Sequence, residues 1–148
     1  MLDQPTAAAI ASALISSRLD HANSVLFGSP AEYIIRLQSV HNAAARIVAE
    51  KSSYLSSVDT LRELHWLAIQ WRIKFKLASL TFKATHNEVP PYLAHLLTPY
   101  RPSLILRSSF SSNLLQVFRT NLTFGSRSFR AAAPTVWNSL PDSVRSSN

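Results

Sequence analysis

LRELHWLAIQWRIKFKLASLTFKATH, from Leu61 to His86, is the stretch that decides the fold. Its larger part, Ala68 to His86, reads as one long helix. A turn of about 100° per residue puts Ile69, Ile73, Leu77, Leu80 and Ala84 on one face and Trp71, Phe75, Ala78 and Phe82 on roughly the opposite one. Two polar seams run between them. Arg72, Lys76, Ser79 and Lys83 follow one; Gln70, Lys74 and Thr81 follow the other. A helix with one apolar stripe sits on a surface, whereas a helix with two must be packed from both sides. The expectation is a central helix over about residues 69–86. The cations of the first seam have two readings: a solvated strip whose stems snorkel over apolar neighbours, or a contact to nucleic-acid phosphates.

Outward from that helix, the chain has the composition of a mainly α-helical protein. Its 148 residues suffice for one domain with its own core. Two glycines are too few for the turns of an all-β fold. The expected fold is an irregular multi-helix bundle around the central helix, with a less regular basic C-terminal part. Residues 1–100 form the helical domain, and 101–148 an Arg/Ser-rich tail ending in a helix.

Local signals place the other elements. Thr6 caps a helix to Ser17, and Asp20 caps a short one to Leu26, stopped by Gly28. Ser29 and Pro30 start a helix reaching about Ala49. Its stripe is Ile34, Leu37, His41, Ala44, Ala45 and Val48, widened by Tyr33, Val40 and Ile47. After a loop from Lys51 to Ser57, a short helix runs to Leu64, and Trp66 anchors the core. Asn87 ends the central helix, and Pro90-Pro91 introduces another over Tyr92 to Leu97. Leu114 to Phe118 is a short strand. A last helix spans Ser126 to Leu140, kinked or split by Pro134 and ended by Pro141.

Charge is the strongest compositional signal: 15 Lys and Arg against 8 Asp and Glu give +7. Residues 1–100 hold nine basic and seven acidic side chains, while 101–148 hold six Arg, no Lys and only Asp142. Arginine suits bidentate contact with phosphate; a Ser-rich basic tail is equally consistent with a solvated one. There is no cysteine, so no disulfide or thiolate metal site, and the five His are dispersed. No apolar run has the length of a membrane span. The Ala7–Ile15 run is short and follows Asp3 rather than a basic region, unlike a signal peptide. An intracellular chain with no membrane partner is expected.

Catalytic patterns are missing. No glycine-rich loop cradles a phosphate, no aspartate pair serves a two-metal centre, and no nucleophile elbow occurs. Asp20 and His21 are neighbours in sequence and do not face each other on a helix. The expectation is a protein without enzymatic activity, metal or cofactor.

Several blocks stand in an order that resembles a known family: SRLDHANSVLFG (17–28), RLQSVHNAAARIV (36–48), LRELHWLAIQWRIKFK (61–76), LTFKATHNEVPPYLAHLL (80–97), LRSS (106–109) and FGSRSFRAAAPTVWNSLP (124–141). Together they resemble the segment following the catalytic palm in reverse transcriptases of LINE-type non-LTR retrotransposons. The resemblance covers nearly the whole chain, and the LHWL and AAPxxWNSLP blocks are its most specific parts. Family members commonly carry an aromatic and a Cys where His21 and Ala22 stand, and Pro at Ala68 and Phe118.

The resemblance implies a thumb-like helical domain and a tail that grip template and primer. The family's aspartate-pair motif is absent, which implies the translated 3′ end of such an element, begun at an internal Met1. It also implies non-specific, low-affinity binding to RNA or DNA, with the palm of a full-length element as protein partner. Arg72, Lys76 and Lys83 are the first candidate phosphate contacts, followed by Arg101, Arg107, Arg119, Arg127 and Arg130. A helical protein-interaction module, or a remnant without selected function, is the alternative.

Overall fold

Alanine- and leucine-rich segments punctuated by proline give a chain that is mainly α-helical. The computed structural model describes residues 3–50, 56–86, 90–102 and 113–147, with Ser16 known by its backbone only. The helices are α1 (Gln4–Leu19), α2 (Ala31–Val48), α3 (Ser57–Glu63), α4 (Ile69–His86), α5 (Pro91–Ala94), α6 (Phe129–Asn138) and α7 (Asp142–Arg145). Short 3-10 turns occur at Asn23–Leu26 and Gly125–Arg127, and there is no strand among the described residues. Packing divides the chain into two compact units, residues 1–73 and 74–148, so that α4 contributes its first turn to one and the rest to the other. The compositional boundary at 100 is crossed by an antiparallel bridge between Pro99 and Leu115.

In the first unit, α2 packs against α1 and α3. α1 begins at Gln4, earlier than Thr6, because Pro5 fits the first turn, where a missing N–H costs nothing. Asp20 does not cap a helix. Its carboxylate accepts from Asn23 Nδ2 at 3.2 Å and from Arg72 Nη1 at 2.9 Å. α2 buries His41, Ala45 and Val48, but Tyr33, Val40 and Ile47 are exposed, so its apolar stripe is narrower than expected. Gln38 joins α2 to the start of α4. Its Oε1 accepts from Ile69 N at 2.8 Å, satisfying an N–H that has no partner within its own helix. The expected loop at Lys51–Leu55 and the stop at Asn87 lie outside the described residues.

α3 ends in a Schellman motif. Trp66 N donates to Leu61 O at 2.8 Å and His65 N to Arg62 O at 3.1 Å. His65, at φ 54°, takes the left-handed position usually held by glycine. The turn delivers the half-buried Trp66 indole onto His41, with ring centroids 5.3 Å apart.

His41 is buried, and neither ring nitrogen has a hydrogen-bond partner. Burial penalises its charged form, the Arg72 guanidinium repels it, and Asp20 offsets part of both, so its pKa lies below the usual 6.5. Between the unfolded and folded values, the unfolded chain takes up a proton that the folded one refuses. Its contribution to stability is therefore whole above 6.5 and declines as the pH falls toward the folded pKa. The urea midpoint should drop from about pH 7.5 to about pH 5.5, and drop less in His41→Phe, which stacks on Trp66 without titrating. Equal drops in both chains would assign the effect to other groups.

In the second unit, α4 buries Leu77, Thr81 and Ala84, while Lys74 and Phe75 are exposed. Thr81 stands in the second polar seam and yet is buried. Its hydroxyl donates to Leu77 O at 2.7 Å and needs no water. Trp71 and Phe75 are 60 % and 64 % exposed, so the second apolar stripe is not packed along its length. Its far end is better covered: Phe82 is half-buried, with its ring 6.5 Å from that of Trp137.

α6 passes through Pro134 without breaking, and Ala131, Ala132, Ala133, Pro134, Val136 and Trp137 are all buried. The ring removes one backbone bond near the middle of a ten-residue helix, and its complete burial helps to offset that loss. Pro141 ends nothing by itself; it precedes α7. The expected strand at 114–118 is reduced to the single bridge, flanked by Tyr100 N to Leu114 O at 2.9 Å and Gln116 N to Thr98 O at 2.8 Å.

Candidate nucleic-acid interface

The two units differ sharply in charge. Residues 1–73 carry six basic and six acidic side chains, and 74–148 carry nine basic and two acidic ones, Glu88 and Asp142. The whole net charge of +7 therefore belongs to the second unit.

A frame of hydrogen bonds holds the C-terminal half of that unit. Asn138 clamps the backbone of Leu115 in both directions: its Oδ1 accepts from Leu115 N at 2.9 Å and its Nδ2 donates to Leu115 O at 2.8 Å. Trp137 Nε1 donates to Asn113 O at 2.7 Å. Arg145 is structural. Its Nη1 donates to the carbonyls of Asn138 and Leu140, at 3.1 and 2.6 Å, and its Nη2 lies 3.3 Å from Asp142 Oδ1. One buried guanidinium thus engages the last carbonyl of α6, that of Leu140 just beyond it, and the described acid of this unit.

The segment 118–130 leads from the bridge at Leu115 into the first turn of α6. Arg130 is exposed and places its guanidinium 4.1 Å from the centroid of the Phe118 ring, a cation–π contact that fixes its position. Gly125 passes close to Thr120: a Cβ there would lie 3.3 Å from Thr120 Cβ, a tight contact. Ser126 N donates to Leu122 O at 3.2 Å, and Arg127 N to Phe124 O at 3.1 Å, closing the turn. Phe124 itself points outward, 82 % exposed.

The expected phosphate contacts fall into three groups. Arg72 is withdrawn. Its side chain is 13 % exposed in the first unit, paired with Asp20 and donating through Nε to Leu67 O at 3.1 Å. Lys76 is half-buried and Lys83 exposed, one above the other on α4. Arg101, Arg119 and Arg130 are exposed, and Arg127 is half-buried with its Nε unpartnered. Arg107 lies outside the described residues. Among the described residues, Lys76, Lys83, Arg101, Arg119, Arg127 and Arg130 form no ion pair.

No protein family, curated protein or solved structure matches the chain. Its reading rests on its own residues.

Those residues include two that spacing did not single out, Phe118 and Phe124. The only sequence signal for them is an aromatic within an Arg-bearing segment. Among the described residues, no group of three or more His, Cys, Asp or Glu is placed to hold a metal ion, and no helix is long and apolar enough to cross a membrane. The arrangement offers cations and an aromatic face, which suit a polyanion carrying flat rings.

Proposed function

We propose that the second unit binds RNA or DNA through backbone phosphates, and that the chain is the non-catalytic post-palm segment of a LINE-type reverse transcriptase. One observation carries the binding: all of the net charge lies in residues 74–148, and the described acid there, Asp142, is already paired. The ordered sequence blocks support the origin. The missing aspartate pair supports the lack of polymerase activity, because both metal ions of phosphoryl transfer need carboxylate ligands. A protein-interaction module is the second reading. It is favoured by an apolar groove of about 490 Å³ in the first unit, lined by Ile34, Ile35, Val58, Leu61 and Trp71 among others, with no charged residue.

Fluorescence anisotropy at several salt concentrations separates the two. Four to six phosphate contacts give a log–log salt slope of roughly −3 to −5 and a dissociation constant on the order of micromolar. Lys76→Gln with Lys83→Gln should flatten the slope by about 1–2 units, and glutamine at Arg101, Arg119, Arg127 and Arg130 by up to about 4. Arg72→Gln should leave the slope alone and lower stability instead. A slope near zero would remove the nucleic-acid reading and favour the module. Primer extension with divalent metal should give background only; metal-dependent incorporation surviving repurification would refute the non-catalytic assignment.

A further inference from the structure

We infer that the 118–130 segment is a base-stacking platform, with Phe124 as its stacking face, and that it makes the protein prefer single-stranded nucleic acid to duplex. This rests on the phosphate-binding reading above and adds the form of the ligand. Phe124 is a large apolar ring held in water, at 82 % exposure. The turn that presents it is closed by hydrogen bonds within the segment. Leu122 O and Phe124 O accept from Ser126 N and Arg127 N, Ser126 Oγ donates to Thr123 O at 2.7 Å, and Ser128 Oγ donates to Gly125 O at 2.7 Å. A Cβ at Gly125 would lie 3.3 Å from Thr120 Cβ, so the turn passes close to Thr120.

The cations of the segment divide the work. Arg130 already lies over Phe118, so the Phe118 face is taken, while the exposed guanidinium keeps N–H edges for phosphate. Arg119, next to Phe118 in the chain, is exposed as well. The Phe124 face has no such neighbour among the ring and cation contacts of the described residues. In a duplex each base already stacks on its neighbours and shows only its edges to the grooves. An unpaired base has a face to offer, and an aromatic side chain beside phosphate-binding cations is how sequence-tolerant single-strand binders capture it.

The test measures anisotropy of a labelled single strand and of a duplex of equal length, with vesicles of anionic and of neutral lipid as a third ligand. Wild type, Phe124→Ala and Phe124→Trp are compared. The wild type should bind the single strand more tightly than the duplex. Phe124→Ala should weaken single-strand binding by about 5- to 100-fold, with the salt slope and duplex affinity unchanged, and Phe124→Trp should restore it. Because the ring is exposed, its loss should not disturb folding, and an unchanged thermal midpoint checks this. If Phe124→Ala binds the single strand as well as wild type does, the platform is refuted while phosphate binding stands. Should wild type show no salt-sensitive binding to either form, the underlying reading fails, and this one with it. Loss of anionic-vesicle binding alone in Phe124→Ala would overturn the inference in favour of a lipid surface, for which exposed Leu122 would be the second inserting side chain.

Discussion

Trp137→Ala should lower the free energy of unfolding by about 3–5 kcal/mol, while Trp71→Ala should cost about 1 kcal/mol or less. The same truncation is made twice, in opposite surroundings. Trp137 is 2 % exposed, and its ring lies 6.5 Å from Phe82 and 6.3 Å from His86. Removing it opens a large void on α6 and also strands the Asn113 carbonyl, which accepts from Nε1 at 2.7 Å. Trp71 is mostly in water already, so little apolar area is lost with it. Urea titration of the two variants beside wild type decides the matter. Losses of similar size would mean that the two tryptophans share the same degree of burial, against the structure.

Leu77→Ala should cost about 2–5 kcal/mol, and Phe75→Ala, two residues away, well under half of that. Leu77 is among the most buried side chains of the chain, whereas Phe75 faces out. Since alanine is a good helix former, neither change strains the backbone of α4, and the difference reports side-chain surroundings alone. A midpoint for Leu77→Ala indistinguishable from wild type would place the buried face of α4 elsewhere.

Those pairs also show what could be read from the chain. The period of Ile69, Ile73, Leu77 and Ala84 gave the buried face of α4 directly, because a 3.6-residue repeat of aliphatics has few other uses. The opposite stripe had the same period and a different fate. Periodicity reports that residues share a face; it does not report how far that face is covered, and Trp71 and Phe75 stay more than half exposed. The exposure of Tyr33, Val40 and Ile47 on α2 is the same lesson. The burial of Thr81 is not legible from its polarity, because the carbonyl one turn back satisfies its hydroxyl. The pairing of Arg72 is hidden for a longer-range reason: Asp20 lies 52 residues away, and no local pattern connects them. In the candidate interface, the charge excess was legible by counting. The exposure of Phe124 was not, since it depends on how the turn from Leu122 to Ser128 closes.

The bonds made by Arg145 give the end of the chain an unexpected weight in the cell. A polypeptide terminated after Arg145 keeps the guanidinium that engages the Asn138 and Leu140 carbonyls, and the Arg145 carbonyl 3.3 Å from Asn113 Nδ2. One terminated a single codon earlier loses all three. The Asn138 carbonyl at the end of α6 and the Leu140 carbonyl beyond it would lose these partners, and the Asn113 clasp would be weakened beside the Trp137 bond. Nonsense alleles on either side of that codon should therefore differ in steady-state abundance far more than one residue of length suggests, with the shorter product cleared by quality-control proteases.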